Sequence, residues 1–191
     1  MCDVPVFYTT TEGQTRRIAE HIAGCLRARG LDSLAINVGE ADREPVDWTR
    51  VRGAFLGASL HAGKHQHAAS TFAHTYAAQL NERPSAFFSV SLGAASKNPA
   101  EVAEAQRLAR EFAAQAGWQP RQILSVGGRL AYAHYGFFKR LVMQWIAKRE
   151  GGSTDTSREH EYTDWAAVAK FANDVADGIR REQHHALPLG A

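Results

Sequence analysis

Thr9-Thr10-Thr11-Glu12-Gly13-Gln14-Thr15 follows the apolar run Val4-Pro5-Val6-Phe7-Tyr8 and leads directly into a helical pattern. A strand, a hydroxyl-rich turn and a helix start together form a cradle for phosphate. The first N–H groups of a helix have no carbonyl partner within it, and the helix dipole favours negative charge at that end. The threonine hydroxyls add donors, and Gly13 lets the backbone approach closely. Thr9, Thr10, Thr11, Glu12, Gly13, Gln14 and Thr15 are therefore the first candidate ligand-binding residues. The turn contains no lysine, which excludes the Gly-Lys-Ser/Thr nucleotide loop. The spaced glycines of the dinucleotide fingerprint are also missing. An ordinary N-cap would explain one threonine; the strand before it and the glycine within it favour a cradle.

A hydroxyl cradle without a fixed cation suits the phosphate of a tightly held mononucleotide such as FMN. The chain has 191 residues, 45% of them hydrophobic and 22% charged, enough for one globular domain with a full core. No run of about 18 apolar residues exists, so no membrane span is expected. Met1-Cys2-Asp3 lacks the basic and apolar regions of a secretion signal. Two widely spaced cysteines, Cys2 and Cys25, fit a reducing cytosol. A net charge of +2 is too mild for a nucleic-acid partner.

Outward from the cradle, apolar runs alternate with helical patterns. Strands are expected at 4–8, 34–38, 54–58, 86–90 and 123–126. Helices are expected at 15–29, 67–80 and 99–116, with a last helix capped by Asp164. Ile18, Ile22, Cys25 and Leu26 share one face of the first helix, and Gly30 ends it. Asp47 is placed to cap a short helical turn through Trp48 and Val51. Five strands alternating with helices predict an α/β three-layer sandwich around a parallel sheet. A phosphate turn after the first strand fits the flavodoxin-like strand order 2-1-3-4-5. A receiver domain shares that order but needs an acidic cluster at the strand ends, which Tyr8-Thr9 and Ala58-Ser59 do not supply. One domain over residues 1–182 is expected, with an insertion at 129–162 and a frayed tail at 183–191.

The loops after the third and fourth strands would flank the ring of a flavin. Ser59, Leu60, His61, Ala62 and Gly63 form the first candidate set, and Ser91, Leu92, Gly93 and Ala94 the second. Both sets are small and polar, so backbone amides can reach ring edges. His61 or Lys64 near the ring could stabilise an anionic reduced flavin. His61, His65 and His67 lie close in sequence, but no cysteine or carboxylate stands at ligand spacing, so no metal is expected.

The connection after the fifth strand is far longer than the few residues such a fold needs. Phe138, Leu141, Val142, Trp145 and Ile146 fall at helical spacing on one face. Lys139, Arg140, Lys148 and Arg149 occupy the rest, and Tyr132, Tyr135 and Phe137 lie upstream. A basic helix with an aromatic apolar side suits an anionic membrane surface or a large apolar ligand. Docking on its own domain, or on a second copy in a homo-oligomer, would satisfy the same pattern.

Gly151-Gly152-Ser153-Thr154-Asp155-Thr156, followed by Glu161-Tyr162-Thr163-Asp164-Trp165, resembles the end of bacterial quinone-dependent protoporphyrinogen IX dehydrogenases. The resemblance continues in Glu12-Gly13-Gln14-Thr15, Gly57-Ala58-Ser59, Pro84-Ser85-Ala86-Phe87 and Gly117-Trp118-Gln119-Pro120. It implies an FMN protein of the flavodoxin superfamily that oxidises protoporphyrinogen IX in haem synthesis and passes electrons to a membrane quinone. It also implies a cytoplasmic protein, peripheral at the inner face of the membrane. Arg129, Tyr132, Tyr135, Lys139 and Arg140 are the candidate substrate-binding residues, since guanidinium forks match propionate carboxylates. The chain departs from the family at His61-Ala62, where relatives carry an Arg-Tyr pair. A soluble electron carrier and an FMN-dependent quinone reductase with another donor are the alternatives. Carriers tend to be acidic, which the net charge of +2 does not match.

Overall fold

A computed structural model describes residues 2–40, 45–130 and 160–186. Five strands lie parallel: β1 (Val6–Tyr8), β2 (Ala35–Asn37), β3 (Ala54–His61), β5 (Ser85–Ser91) and β6 (Gln122–Gly127). Their order is β2-β1-β3-β5-β6, the expected 2-1-3-4-5. A short strand β4 (Lys64–His65) folds back antiparallel on β3. The helices are α1 (Gln14–Ala28), α2 (His67–Thr75), α3 (Ala77–Asn81), α4 (Pro99–Gln115) and α5 (Trp165–Ala186).

Strand periodicity divides the core between the two faces of the sheet. Val6 and Tyr8 of β1, Phe55 of β3 and Phe88 of β5 point to the face covered by Ile18, Ile22 and Leu26 of α1 and Val168, Phe171 and Val175 of α5. Phe7, Leu56 and Phe87 point the other way, against Phe72 of α2 and Phe112 of α4. Cys25 packs at the edge of the first cluster, half-buried, and Cys2 is buried. Trp118 seals the second cluster, its indole N–H donating to Ser85 Oγ at 2.8 Å.

Local chemistry sets the helix ends. Asn98 accepts from the Ala100 N–H at 3.0 Å, and Pro99 occupies the first turn of α4. Asp164 caps α5 by accepting from the Ala167 N–H at 2.9 Å. Gly30 ends α1 in the left-handed region at φ 74°, which returns its N–H to the Arg27 carbonyl. The last helix runs to Ala186.

Two expectations need correction. The single helix over 67–80 is broken at Tyr76, where φ is −111° and ψ 20°. The Tyr76 ring lies against both Phe72 and Trp48, a contact that periodicity alone does not see. Asp47 starts no helix. Its carboxylate takes the Thr49 N–H and hydroxyl, closing an Asx turn instead.

Candidate functional site

The cradle sits at the carboxyl ends of β1 and β3, where the strand order reverses and α/β sheets bind ligands. Thr9 is pinned to the sheet by its N–H, which donates to the Gly57 carbonyl at 2.9 Å. Thr10 Oγ1 accepts the Gly13 N–H at 2.9 Å. Gly13 itself adopts φ 85°, a conformation that disfavours a side chain. It starts α1 with no side-chain cap. The first bond back along α1 runs from Arg17 N to Gly13 O, so the N–H groups of Gln14, Thr15 and Arg16 have no carbonyl within the helix. Thr9 and Thr15 are buried, and Thr11 and Glu12 stand exposed at the tip.

Gln14 faces the other way. Its Nε2 donates to Glu161 Oε1 at 3.0 Å and to Thr163 Oγ1 at 2.8 Å. Its backbone N–H belongs to the cradle, while its side chain grips the far end of the insertion.

Residues 59–65 form a hairpin rather than an open loop. β3 continues to His61, Ala62 and Gly63 turn at φ 48° and 78°, and β4 returns with His61 opposite Lys64. Positive φ at both turn residues matches the tight twist of a two-residue hairpin. Ser59 is buried, and its N–H donates to Gln66 Oε1 at 2.9 Å. Gln66 also accepts from Thr9 Oγ1 at 2.8 Å and donates to Thr11 Oγ1 at 3.2 Å and to Ser59 Oγ. After β5, the Ser91 hydroxyl accepts the Ala94 N–H at 3.1 Å and starts the short turn Gly93–Ala95. The first two expected loops are thus joined through Gln66, and the third follows the neighbouring strand at the same carboxyl end of the sheet.

The histidines separate. His65 turns into the core, with Nε2 2.9 Å from Ser89 Oγ and its ring against Phe87 and Phe112. Burial, and secondarily the nearby His61, pushes its pKa from 6.5 down to about 4. Burial also lowers His61. Among the described residues no group of three His, Cys, Asp or Glu is placed to hold a metal.

A pH dependence follows from His65. Unfolded, it gains its proton near 6.5; folded, not until about 4. Its contribution is fully present above 6.5 and is lost as pH falls through that window, up to about 3 kcal/mol. His65→Phe is expected to flatten urea-unfolding stability between those pH values. An unchanged slope would contradict the half-buried, neutral state.

The insertion leaves and returns beside the cradle. β7 (Arg129–Leu130) pairs antiparallel with β8 (His160–Glu161), which sets Arg129 opposite Glu161. Gly128 N donates to Ser91 O, Tyr162 N to Gly128 O, and Thr163 Oγ1 to Gly127 O. Arg17 pairs with Glu161 at 3.2 Å. The stem is therefore tied to both the first turn of α1 and the loop after β5. Tyr132, Tyr135, Lys139, Arg140 and the helix expected at 138–146 lie outside the described residues.

Neutral hydroxyls, an uncapped helix start and two flanking loops fit a phosphate-bearing flavin. The flavodoxin domain family matches residues 5–157. Protoporphyrinogen IX dehydrogenase [quinone] from Escherichia coli K12 is 35% identical over 171 residues, covering 90% of this chain and 93% of that protein. The chain belongs to that family.

The protein of the same name from Leishmania major is 35% identical over 177 residues, 90% of this chain and 73% of that protein. Oxidised flavodoxin 1 from Bacillus cereus shares the fold, with a TM-score of 0.55 and 15% identity, covering 91% of this chain and 97% of that one. Among the described residues no helix is long and apolar enough to cross a membrane.

Two groups at the site escaped sequence reasoning. Gln66, at the start of α2, joins the cradle to β3. Thr163 joins α1 to the stem. Its only signal was its place in the Glu161-to-Trp165 motif that marks the family.

Proposed function

We propose that this chain oxidises protoporphyrinogen IX to protoporphyrin IX with FMN bound, and delivers the electrons to a quinone. Identity of 35% along nine-tenths of the chain with the E. coli protein of that name is the observation that carries the reading. Further support comes from a stem that brings the insertion to the edge of the cradle. FMN, when bound, would supply a two-electron carrier between the porphyrinogen and the quinone. Loss of six electrons and six protons requires three rounds, and three quinones become quinols.

The residues have separate tasks. The hydroxyls of Thr10, Thr11 and Thr15 and the first N–H groups of α1 hold the phosphate. Residues 59–63 and 91–94 border the ring and shield it from water. Arg129, Tyr132, Tyr135, Lys139 and Arg140 take the porphyrinogen, the cations pairing with its propionates. The basic and aromatic face of the insertion rests on an anionic membrane surface, where an apolar quinone resides. Steady-state assay of FMN-loaded protein under anaerobic conditions is the test. Protoporphyrin fluorescence should rise with three quinols formed per porphyrin. Porphyrin formation without quinol would contradict the acceptor.

A further inference from the structure

Four hydrogen bonds converge on the Gln66 carboxamide, and one of them fixes which way round it sits. The Ser59 backbone N–H can only donate, and it lies 2.9 Å from Oε1. A flipped amide would set N–H against NH2. Nε2 therefore faces the hydroxyls of Thr11, at 3.2 Å, and Ser59. An amide nitrogen can only donate, so both hydroxyl oxygens accept from it. Their own O–H protons are left to point elsewhere. The Thr9 hydroxyl, 2.8 Å from Oε1, must instead donate its proton to Gln66. Thr10 receives the Gly13 N–H and also keeps its proton for another partner.

We propose that Gln66 is a positioning residue that sets the direction of the cradle's hydroxyls. It turns Thr11 into a proton donor toward the phosphate and Ser59 into one toward the ring, and withdraws Thr9 from the phosphate-binding set. The ligand class selected is a phosphate monoester, an acceptor-only dianion. Three threonines in a row are thus unequal, although the sequence presents them alike. The proposal rests on the FMN reading of the cradle.

The test compares FMN with riboflavin, which differ by the phosphate alone. Both are titrated into the full-length apo-protein by flavin fluorescence, and the ratio of their dissociation constants isolates the phosphate. Thr11→Val is expected to lower the wild-type preference for FMN about tenfold, the loss of one hydrogen bond to a charged group. Thr9→Val should leave it within about twofold, because the Ser59 N–H still fixes the Gln66 amide. Gln66→Glu keeps the shape but accepts only, so it draws both hydroxyl protons inward and adds a like charge. It should lower the preference further than Thr11→Val. Gln66→Met, uncharged, should lower it less than Gln66→Glu but more than Thr9→Val. Wild-type protein with no preference for FMN would overturn the cradle itself. A normal wild-type preference, with Thr9→Val and Thr11→Val equally impaired, would overturn the role of Gln66 alone. So would a Gln66→Glu variant with the wild-type ratio.

Discussion

Replacing residues 131–159 with a two-residue Asn-Gly turn is expected to leave FMN bound and to reduce porphyrinogen-to-quinone turnover to background. Leu130 and His160 are partners in an antiparallel pair, so a short turn can join them without moving the stem. The stem contacts to the cradle come from Glu161 and Thr163, which the shortened chain retains. The proposed flavin-binding groups lie in the turn after β1, the start of α1 and the loops after β3 and β5, none of them in the excised segment. Flavin affinity should therefore stay within about twofold, since the proposed flavin-binding groups and their stem contacts are unchanged. Turnover should vanish because every candidate substrate contact but Arg129, and the proposed membrane contacts, go with the insertion. Dissociation constants for FMN and quinol formation from protoporphyrinogen IX are the two readouts. Retained turnover would show that the chemistry needs only the flavodoxin-like body.

Gly57→Ala is expected to be among the most destabilising single-methyl changes in the chain. Gly57 lies in the middle of β3, opposite Tyr8 on one side and Phe88 on the other. A Cβ at Gly57 would stand 2.0 Å from Phe88 Cζ, inside the ring's contact distance. Phe88 is fully buried among the α1 and α5 residues and cannot swing away. Overpacking of this kind costs about 3 kcal/mol or more, a large part of the roughly 5–15 kcal/mol that holds a domain folded. The Gly57 carbonyl also receives the Thr9 N–H, so displacement of β3 would reach the cradle. Urea unfolding should show the loss. Phe88→Leu in the same chain should recover part of it, since the two sites share one space. Strict additivity of the two changes would contradict the steric cause.

The sheet was legible because its strands are short apolar runs whose alternate residues face two helical layers. Val6 and Tyr8 against Phe7 show the pattern within three residues. The turn from strand to helix at Thr9 to Gly13 was legible because its signals are local: an apolar strand, hydroxyls, Gly13 and a helix start within a few positions. What escaped is non-local or turns on one backbone torsion. Gln66 meets Thr9 across 57 positions, and Gln14 meets Thr163 across 149. No spacing rule reports such pairs. In the sequence His65 is one of three histidines close together, yet a two-residue turn at Ala62-Gly63 folds it back onto Phe87 and Phe112. The break at Tyr76 leaves helical periodicity intact on both sides, so the pattern from 67 to 80 reads as continuous.

Anaerobic stopped-flow mixing of FMN-loaded protein with protoporphyrinogen IX, followed at the flavin absorbance, decides whether the porphyrinogen is the electron donor. The flavin band should bleach on mixing and return when quinone is added. A flavin that stays oxidised in the presence of excess protoporphyrinogen would contradict the proposed activity, while leaving the fold and the phosphate cradle in place.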